Sequence, residues 1–308
     1  MPNPKMEFGY HPPSGDRGFE VIRPREFLSD LHNALDVASQ HFPSLWISDH
    51  FSYDDEFRME CWTHLTWVAA RYPGPKLGTI VMCNSFRQPS LMAKMAASLQ
   101  WMSSGRLILG YGAGWYEPEY TRYGFDYPPP GQRVEMLEEG VQIMKAMWQD
   151  APANFKGKHY RIEDAYCEPR PAPPPVLMIG GAGERRTLRV VARYADWWND
   201  LVRPADQLRH KLNVLRQHCE REGREFSEIR KTLSVRLFID RSHRKALEMA
   251  GDRLHGDQPA VAGDPASVRE QLTQFAELGF DFAILTFPRF QDLEDMKLFV
   301  DEVMPHFG

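Results

Sequence analysis

A histidine and an aspartate stand together directly after one of the apolar runs of the chain. In the segment SLWISDHF, Asp49 and His50 follow the run 44–47. An imidazole gains and loses its proton near neutral pH, and an adjacent carboxylate can fix its tautomer. The pair therefore predicts a proton-transfer site in which His50 reacts and Asp49 orients it. The structural alternative is that Asp49 caps a turn or a helix while His50 packs at the rim of the fold.

A glycine-rich turn after a later apolar run is suited to bind an anion. The run 176–179 leads into a helical pattern from Glu184 through four small residues, Gly180, Gly181, Ala182 and Gly183. Backbone without bulky side chains lets a ligand come close, and the free N–H groups that open a helix favour a phosphate. Arg185 and Arg186 beside the turn are candidate partners for further negative charge. The alternative is a tight strand-to-helix turn that needs glycine only for its backbone dihedrals.

A second glycine-rich segment, GYGAGW, ends the apolar run 106–112. Its small residues would let a flat ring lie against the backbone of Ala113 and Gly114, with Trp115 and Tyr116 as stacking walls. The alternative is that the end of this run is kept small for packing.

Short apolar runs alternate with longer amphipathic stretches along the whole chain. Eight runs are predicted strands: 6–10, 44–47, 76–83, 106–112, 176–179, 196–199, 233–239 and 282–287. The helical patterns are 24–42, 57–72, 89–102, 131–148, 185–194, 204–222, 244–253, 266–278 and 293–303. The runs are continuously apolar, which is typical of parallel strands covered on both faces. Eight such units in 308 residues favour an α/β fold of the (β/α)8 TIM-barrel type.

The competing architecture is an open doubly wound sheet, which usually carries its glycine-rich turn directly after the first strand. Here the first run is followed by YHPPSGDRG, which is not a dinucleotide-binding pattern. The proline-rich segment 149–175, with the hairpin-like NFKGKHYRI, is interpreted as an insertion in a single domain that spans residues 1–308. In a barrel, functional residues lie at the carboxyl ends of the strands, where the three segments above stand.

The composition argues against several classes of function. Lysine and arginine total 37 against 42 aspartates and glutamates, a net charge of -5, so nothing global attracts nucleic acid or an anionic membrane. No apolar stretch approaches the roughly 20 residues of a membrane helix, and the first residues lack the pattern of a secretion signal. The 4 cysteines are too scattered for a zinc site or a disulfide scaffold. We therefore expect a cytoplasmic protein with a small-molecule substrate and no metal site.

These segments together resemble the bacterial luciferase-like flavin oxidoreductase superfamily, in particular its branch dependent on the deazaflavin coenzyme F420. The resemblance rests on SLWISDHF, on RQPSLMAKMAASLQWMSSGRLILGYGAGWYEPEYTRYGFDYPPPGQRVEMLEE, on VLMIGGAGERRTLRVVARYADWWN and on VAGDPASVREQLTQFAELGFDFAIL. It covers nearly the whole chain. It implies a TIM-like barrel whose flavin or deazaflavin lies across the mouth at the carboxyl ends of the strands.

The resemblance also implies which residues bind the cofactor. The segment 180–183 would cradle the phosphate, and the backbone of Ala113 and Gly114 would touch the ring system. Cys83 and Asn84 fall where relatives bulge after strand three, often at a non-prolyl cis peptide, to back the ring.

Asp49 and His50 fall where F420-dependent dehydrogenases keep an orienting aspartate and a catalytic histidine. The chain departs from those enzymes in two places. They carry a glutamate just after the strand-four glycines, where this chain has Trp115, and a tryptophan beyond the histidine, where it has FSYDD. Sugar-phosphate or secondary-alcohol oxidation is therefore not implied. Aromatic residues predict instead a pocket for a flat or apolar substrate: Phe51, Tyr53, Phe86, Trp115 and Tyr116.

The resemblance leaves two cofactors open. With F420, a hydride passes between the deazaflavin ring and the substrate, and His50 donates or accepts the proton; with FMN, reduced flavin and oxygen would oxidise the substrate. Both cofactors have a tricyclic ring, a ribityl chain and a phosphate, and the anionic tail of F420 favours it beside Arg185 and Arg186. Relatives suggest a homodimer and a separate flavin or F420 reductase.

Two other functions remain open on the same fold. One is a noncatalytic barrel that binds a phosphorylated ligand. The other is an isomerase or aldolase, which would need a lysine or paired carboxylates at the strand ends, and the strand ends of this chain offer no lysine.

Overall fold

The computed structural model of the protein describes residues 5–15, 24–53 and 57–308. Its strands are β1 (Glu7–Tyr10), β2 (Ser44–Ile47), β3 (Lys76–Thr79), β4 (Met82–Cys83), β5 (Leu107–Gly112), β6 (Ala153–Lys156), β7 (Arg161–Ala165), β8 (Val176–Gly180), β9 (Trp197–Leu201), β10 (Arg230–Ile239), β11 (Val261–Gly263) and β12 (Phe282–Thr286). Its α-helices are α1 (Pro24–His41), α2 (Cys61–Arg71), α3 (Pro89–Met102), α4 (Glu117–Arg122), α5 (Pro130–Gln149), α6 (Thr187–Tyr194), α7 (Ala205–Glu222), α8 (His243–Ala250), α9 (Pro265–Leu278) and α10 (Glu294–Glu302).

Eight of these strands form a closed ring in the order β1, β2, β3, β5, β8, β9, β10, β12 and back to β1. Neighbouring strands of the ring pair in parallel, and helices follow most of them in the chain. The predicted (β/α)8 barrel is therefore confirmed.

Aromatic side chains fill the interior of the barrel because the strands make room for them. The rings of Trp46, Trp197 and Phe282 meet there, with centroids 5.3 to 6.2 Å apart. A β-carbon at Gly9 or Gly78 would collide with the Trp46 ring. Helices cover the outside, so the strands are buried on both faces, as their continuous apolar sequence predicts.

The segment 149–175 contains the predicted hairpin, in which β6 and β7 pair antiparallel. The turn of the hairpin is held against α5 by Glu139. The carboxylate of Glu139 accepts hydrogen bonds from the backbone N–H groups of Lys158, His159 and Tyr160. The hairpin thereby packs on the outside of the barrel rather than entering the sheet.

The sequence predicts a continuous strand three, but the structure divides it. The run 76–83 is divided into β3 and β4, and β4 pairs with β5. The peptide bond between Ile80 and Val81 is cis. The bulge expected from the resemblance is therefore present, but its cis bond lies inside strand three, ahead of Cys83 and Asn84.

Two helices begin later than the sequence predicts. α2 begins at Cys61 because the side chain of Glu60 accepts hydrogen bonds from two backbone N–H groups of the first turn. α6 begins at Thr187, after a turn that occupies residues 184–186. The short helix α4 was not predicted and stands in an expected proline-rich loop. None of the helices in the described part of the chain is long and apolar enough to cross a membrane.

Candidate functional site

A cavity of about 920 Å³ opens at the carboxyl ends of the barrel strands. Residues at or just after the ends of seven barrel strands contribute to its wall, and Ser234, Val235 and Arg236 contribute from within β10. Most of the predicted site residues line it: Asp49, His50, Tyr53, Cys83, Phe86, Ala113, Gly114, Trp115, Tyr116, Gly180, Gly181, Ala182 and Gly183. The expectation that function lies at this end of the barrel is therefore supported by where the free space is.

The two glycine-rich segments and Val81 form one wall of the cavity. A β-carbon at Gly112 would lie 2.7 Å from Val81 Cγ2, and one at Gly180 would lie 2.9 Å from Val81 Cγ1. Gly181 adopts φ +117°, a backbone conformation that favours glycine. Its N–H donates to Asn199 O over 3.1 Å. This wall consists of close-packed backbone and one small side chain, so a flat ligand can lie directly against it.

The turn after the glycines is tied to α7 rather than opening directly into a helix. Lys211 Nζ lies 2.6 Å from Glu184 Oε1, and His218 Nε2 lies 2.7 Å from the Glu184 carbonyl oxygen. The side chain of Thr187, at the start of α6, lies against Gly183, where a β-carbon would be 2.8 Å from its Oγ1. The helix start predicted at Glu184 is wrong, and the first helical N–H groups belong to Thr187 and the residues after it.

The arginines beside this turn do not line the described cavity. Arg186 Nη1 donates to Gly131 O over 3.0 Å and forms an ion pair of 3.0 Å with Glu135. Its guanidinium is therefore directed toward α5. Arg185 is exposed and likewise lies outside the cavity wall. The tail-binding role expected for this pair has no support in the contacts of Arg186.

The carboxylate in contact with His50 is that of Glu119, not that of Asp49 as the sequence predicts. His50 Nδ1 lies 3.0 Å from Glu119 Oε2, and the Glu119 side chain is 1% exposed. Glu119 Oε1 also accepts hydrogen bonds from the backbone N–H groups of Phe51 and Ser52. A carboxylate at Nδ1 favours the tautomer with its proton there, which leaves Nε2 free to exchange a proton with a ligand.

Asp49 is occupied by a different set of partners. Its Oδ2 accepts hydrogen bonds from Cys83 N and Arg87 Nη1, both over 2.8 Å, and its Oδ1 accepts one from Arg87 Nη2 over 3.1 Å. Burial raises the pKa of Asp49, and the Arg87 guanidinium opposes that rise. Burial disfavours the charged form of Arg87, but the carboxylates of Asp49 and Glu60 raise its pKa overall. The pair is therefore a buried ion pair, of which Asp49 borders the cavity.

Aromatic rings surround the His50 imidazole on the cavity side. Ring centroids lie 4.8 Å away at Tyr53, 6.0 Å at Trp115 and 6.5 Å at Tyr116. Trp115 is 65% exposed at the mouth of the cavity. Part of the predicted aromatic pocket is thus assembled around the predicted proton-transfer group.

Two predicted site residues lie behind the wall instead of on it. Phe51 packs in an aromatic cluster with its centroid 4.6 Å from those of Phe86 and Tyr123. Asn84 is buried; its Oδ1 accepts a hydrogen bond from Tyr111 OH and its Nδ2 donates to Tyr160 OH. Neither lines the described cavity, because packing and hydrogen bonds turn both side chains away from it.

Cys83 does line the cavity, as expected, with its thiol in a buried contact. Its Sγ lies 3.1 Å from Tyr120 OH. Burial raises the pKa of the Cys83 thiol to about 11. The group is therefore a neutral thiol at physiological pH and contributes shape rather than charge.

The wall built from β9 and β10 is polar. Asn199 Nδ2 donates to Thr232 Oγ1 over 2.8 Å, and Ser234 Oγ donates to Asn199 Oδ1 over 3.1 Å. Asp200 and Arg203 form an ion pair beside them, with Arg203 Nε 3.1 Å from Asp200 Oδ2. A substrate in this cavity therefore meets aromatic rings on one side and hydrogen-bonding groups on another.

The sequence profile of the luciferase-like monooxygenase family matches residues 29–256 of the chain. The chain belongs to this family. It is 26% identical to the F420-dependent glucose-6-phosphate dehydrogenase of Amycolatopsis mediterranei (strain U-32), over 93% of this chain and 95% of that relative. The family predicted from the sequence motifs is therefore confirmed.

Solved structures of the luciferase-like fold resemble it over nearly their whole length. An F420-dependent secondary alcohol dehydrogenase in complex with an F420–acetone adduct has a TM-score of 0.84 at 19% identity, covering 99% of both chains. The FMN-bound oxygenating constituent of 3,6-diketocamphane monooxygenase from Pseudomonas putida has a TM-score of 0.77 at 16% identity, also covering 99% of both. These similarities establish the fold of this luciferase-like protein.

Sequence reasoning missed Glu119 and Arg87 in this luciferase-like chain. Glu119 stands in α4, 69 positions beyond His50, and Arg87 stands 38 positions beyond Asp49. The second glutamate of WYEPEY, Glu119, was a detectable signal, because this segment continues GYGAGW at the predicted mouth of the barrel. Among the described residues, no cluster of three or more His, Cys, Asp or Glu side chains is arranged to hold a metal ion.

Proposed function

We propose that the protein is an F420-dependent oxidoreductase that catalyses hydride transfer between the coenzyme and a small molecule. The observation that carries this proposal is a cavity in which a backbone-built wall stands across from an imidazole held by a buried carboxylate. The relatives named for F420 support it, because they align over most of this chain. Tyr53, Trp115 and Tyr116 favour a substrate with a flat or apolar part, and the Asn199–Ser234 wall favours one that also has a polar group.

The residues of the backbone-built wall fit a tricyclic cofactor with a phosphate. The close approach of Val81 to Gly112 and Gly180 leaves no room for side chains there, which is what a flat ring system requires. Within the segment 180–183, the N–H groups of Ala182 and Gly183 would bind the phosphate, because that of Gly181 donates to Asn199 O. Ala113 and Gly114 would contact the ring. When bound, the deazaflavin supplies the carbon that accepts or donates the hydride.

The chain's own contribution to the reaction is the control of one proton. Glu119 holds Nδ1 of His50, so Nε2 is the atom that takes a proton from a substrate hydroxyl or returns one to a carbonyl. The buried Glu119 carboxylate stabilises the imidazolium that forms in the first case. The rings of Tyr53, Trp115 and Tyr116 would place apolar surface beside the imidazole.

FMN is the second candidate cofactor. The structural similarity to an FMN-bound monooxygenase favours it, since the same cradle suits the phosphate and ring of either cofactor. With FMN, the protein would be a monooxygenase that uses oxygen and reduced flavin. A separate reductase would supply the reduced flavin. A homodimer, like the reductase partner, remains a prediction.

The test is to titrate the purified protein with F420 and with FMN, in oxidised and reduced form, and to follow absorbance and fluorescence. We expect saturable binding of F420 in the micromolar range or tighter, and weaker binding of FMN. Tighter binding of reduced FMN would favour the monooxygenase. If neither cofactor binds at any concentration tested, the redox assignment is wrong and the noncatalytic barrel becomes the better interpretation.

A further inference from the structure

The buried ion pair between Asp49 and Arg87 joins the end of β2 to the segment 81–83, which belongs to the backbone-built wall of the cavity. The side chain of Asp49 is 0% exposed and that of Arg87 is 11% exposed. Both carboxylate oxygens of Asp49 accept hydrogen bonds from the guanidinium, and Oδ2 also accepts one from Cys83 N. The bond to Cys83 N is a direct link from the Asp49 side chain to the backbone of β4.

The segment held in this way is the one against which a ring system would lie. Cys83 is two residues beyond Val81, whose side chain fills the space between Gly112 and Gly180. β4 is only two residues long, and it pairs with β5 at Tyr111 and Gly112. So short a strand has few backbone hydrogen bonds of its own, and the Asp49 bond is a large share of what holds it.

Arg87 and its neighbours bring a third element to the same point. Arg87 Nη2 also donates to Glu60, the residue that caps α2. In the first turn of α2, the Cys61 thiol lies 3.7 Å from Ile47 O and 3.5 Å from Met82 Sδ. The end of β2, the start of α2 and β4 therefore meet around one guanidinium.

We propose that Asp49 and Arg87 are positioning residues that hold the segment 81–83 in the shape required by the cofactor ring, and are not part of the proton pathway of His50. The proposal deepens the proposed function and rests on it. It reverses the role expected for Asp49 from the sequence, because the two carboxylates near His50 have separate tasks. Glu119 contacts the imidazole, and Asp49 contacts the backbone beneath the ring.

The energetic reason is the cost of leaving one member of the pair alone. Removal of one partner from a buried ion pair leaves an uncompensated charge in the interior. Lysine at position 87 would keep the charge but could not hold both oxygens of Asp49 and Glu60 at once, because an ammonium is a single point donor group. Asn at position 49 would keep the shape and one acceptor oxygen but would lose the charge.

The experiment compares Asp49→Asn and Arg87→Lys with Arg289→Lys as a matched control. Arg289 also pairs with a buried aspartate, Asp295, but Asp295 does not line the described cavity, whereas Asp49 does. For each protein we would measure F420 affinity by fluorescence, the absorbance band of bound F420, the pH profile of the rate, and hydrogen exchange of the backbone amides at 82–84 in the cofactor-free protein.

We expect both site variants to bind F420 roughly 10-fold to 30-fold more weakly, to shift the absorbance band of the bound coenzyme, and to exchange the Cys83 amide faster. The shape of the pH profile should stay that of the unmodified protein. The control should change none of these readouts. If Asp49→Asn keeps its F420 affinity within about twofold but alters the pH profile, Asp49 belongs to the proton pathway and the proposal is overturned.

Hydrogen exchange separates failure of this proposal from failure of the proposed function. Suppose that no cofactor binds the unmodified protein, but that its Cys83 amide exchanges slowly and exchanges faster in both variants. Asp49 and Arg87 then hold the segment 81–83, but the protein has no redox role. If Asp49→Asn does not fold, Arg87→Lys retains both charges and supplies the same comparison. Rapid exchange of the Cys83 amide in the unmodified protein would by itself overturn the proposal that Asp49 holds this segment.

Discussion

The two walls of the cavity beside the cofactor position are built in different ways. The wall formed by Gly112, Ala113, Gly114 and the segment 180–183 consists of backbone from two strands, β5 and β8, and of the turns that follow them. The wall around His50 consists of side chains that come from distant parts of the chain. Glu119 reaches His50 from α4, and Arg87 reaches Asp49 from the loop before α3.

Because the two walls are built differently, a one-residue change has a different consequence in each. In the backbone-built wall, a new β-carbon at Gly181 would meet only Thr187 Cγ2, at 3.4 Å, so it would remove space for the ligand while the fold persists. In the side-chain wall a change removes a partner, so the space remains while the orientation or charge of a neighbour changes. Substitutions in the backbone-built wall should therefore mainly weaken cofactor binding, and those in the side-chain wall should mainly lower turnover. Asp49 is the exception, because it holds the segment 81–83.

The largest effect is expected at the imidazole itself. His50→Ala removes the only group to which we assign proton transfer, and should lower turnover by roughly 10²–10⁴-fold. The F420 dissociation constant should stay within about twofold, because the backbone wall is intact. Steady-state kinetics and fluorescence titration measure the two quantities, with His41→Ala on the exposed end of α1 as control. Unchanged turnover would favour the noncatalytic barrel.

The next largest effect is expected in the backbone-built wall. Gly181→Val should weaken F420 binding roughly 100-fold, about the loss of one hydrogen bond to a charged group. Gly279→Val is a matched control, because Gly279 has a similar φ of +103° against +117° at Gly181, but ends α9 in open space. Both variants should lose similar stability in urea, and only the first should lose the coenzyme. Equal affinity in both would move the phosphate to another part of the cavity.

A smaller effect is expected from the carboxylate that holds His50. Glu119→Gln keeps an acceptor for the N–H groups of Phe51 and Ser52 but removes the charge beside the imidazole. Turnover should fall roughly 10-fold at saturating F420, with affinity for the coenzyme unchanged. Glu117→Gln, on the exposed side of the same short helix, is the control and should have no effect on turnover. A loss of F420 affinity would show that Glu119 shapes the cofactor site.

A separate effect concerns stability rather than the reaction, through the support that α2 gives to the side-chain wall. Burial lowers the pKa of His64 in this helix to about 4, against 6.5 in an unfolded chain. Between these values the unfolded state binds more protons, so the free energy of unfolding falls as the pH falls below 6.5. The loss between pH 7 and pH 5 should be about 2 kcal/mol.

Urea unfolding of the protein and of His64→Gln at both pH values measures this contribution. The variant should lose less stability on acidification, by the amount assigned to His64. An identical loss in both proteins would mean that the imidazole is already protonated in the folded state or that it is solvated.

The part of the site that was predictable is the part built from local backbone. Gly180 to Gly183 follow a buried strand in the sequence, and the barrel places the ends of parallel strands at one mouth. His50 was predictable for the same reason. The contact of Glu119 with His50 was not, because a six-residue helix in a proline-rich stretch has no periodicity from which the direction of its side chains could be predicted. Phe51 was misplaced because its neighbours in the aromatic cluster come from segments far along the chain.

The alternation of strands and helices, the barrel and the two glycine-rich turns follow from residue type and near neighbours, so they could be predicted from the sequence. Which carboxylate contacts His50, and which one holds the segment 81–83, depends on contacts between distant parts of the chain. Asp49 is adjacent to His50 in the chain, yet its carboxylate lies against Arg87 and Cys83 N, while Glu119 arrives from 69 positions away. A buried charge takes the partners that satisfy it in space, and these need not be its neighbours in the sequence.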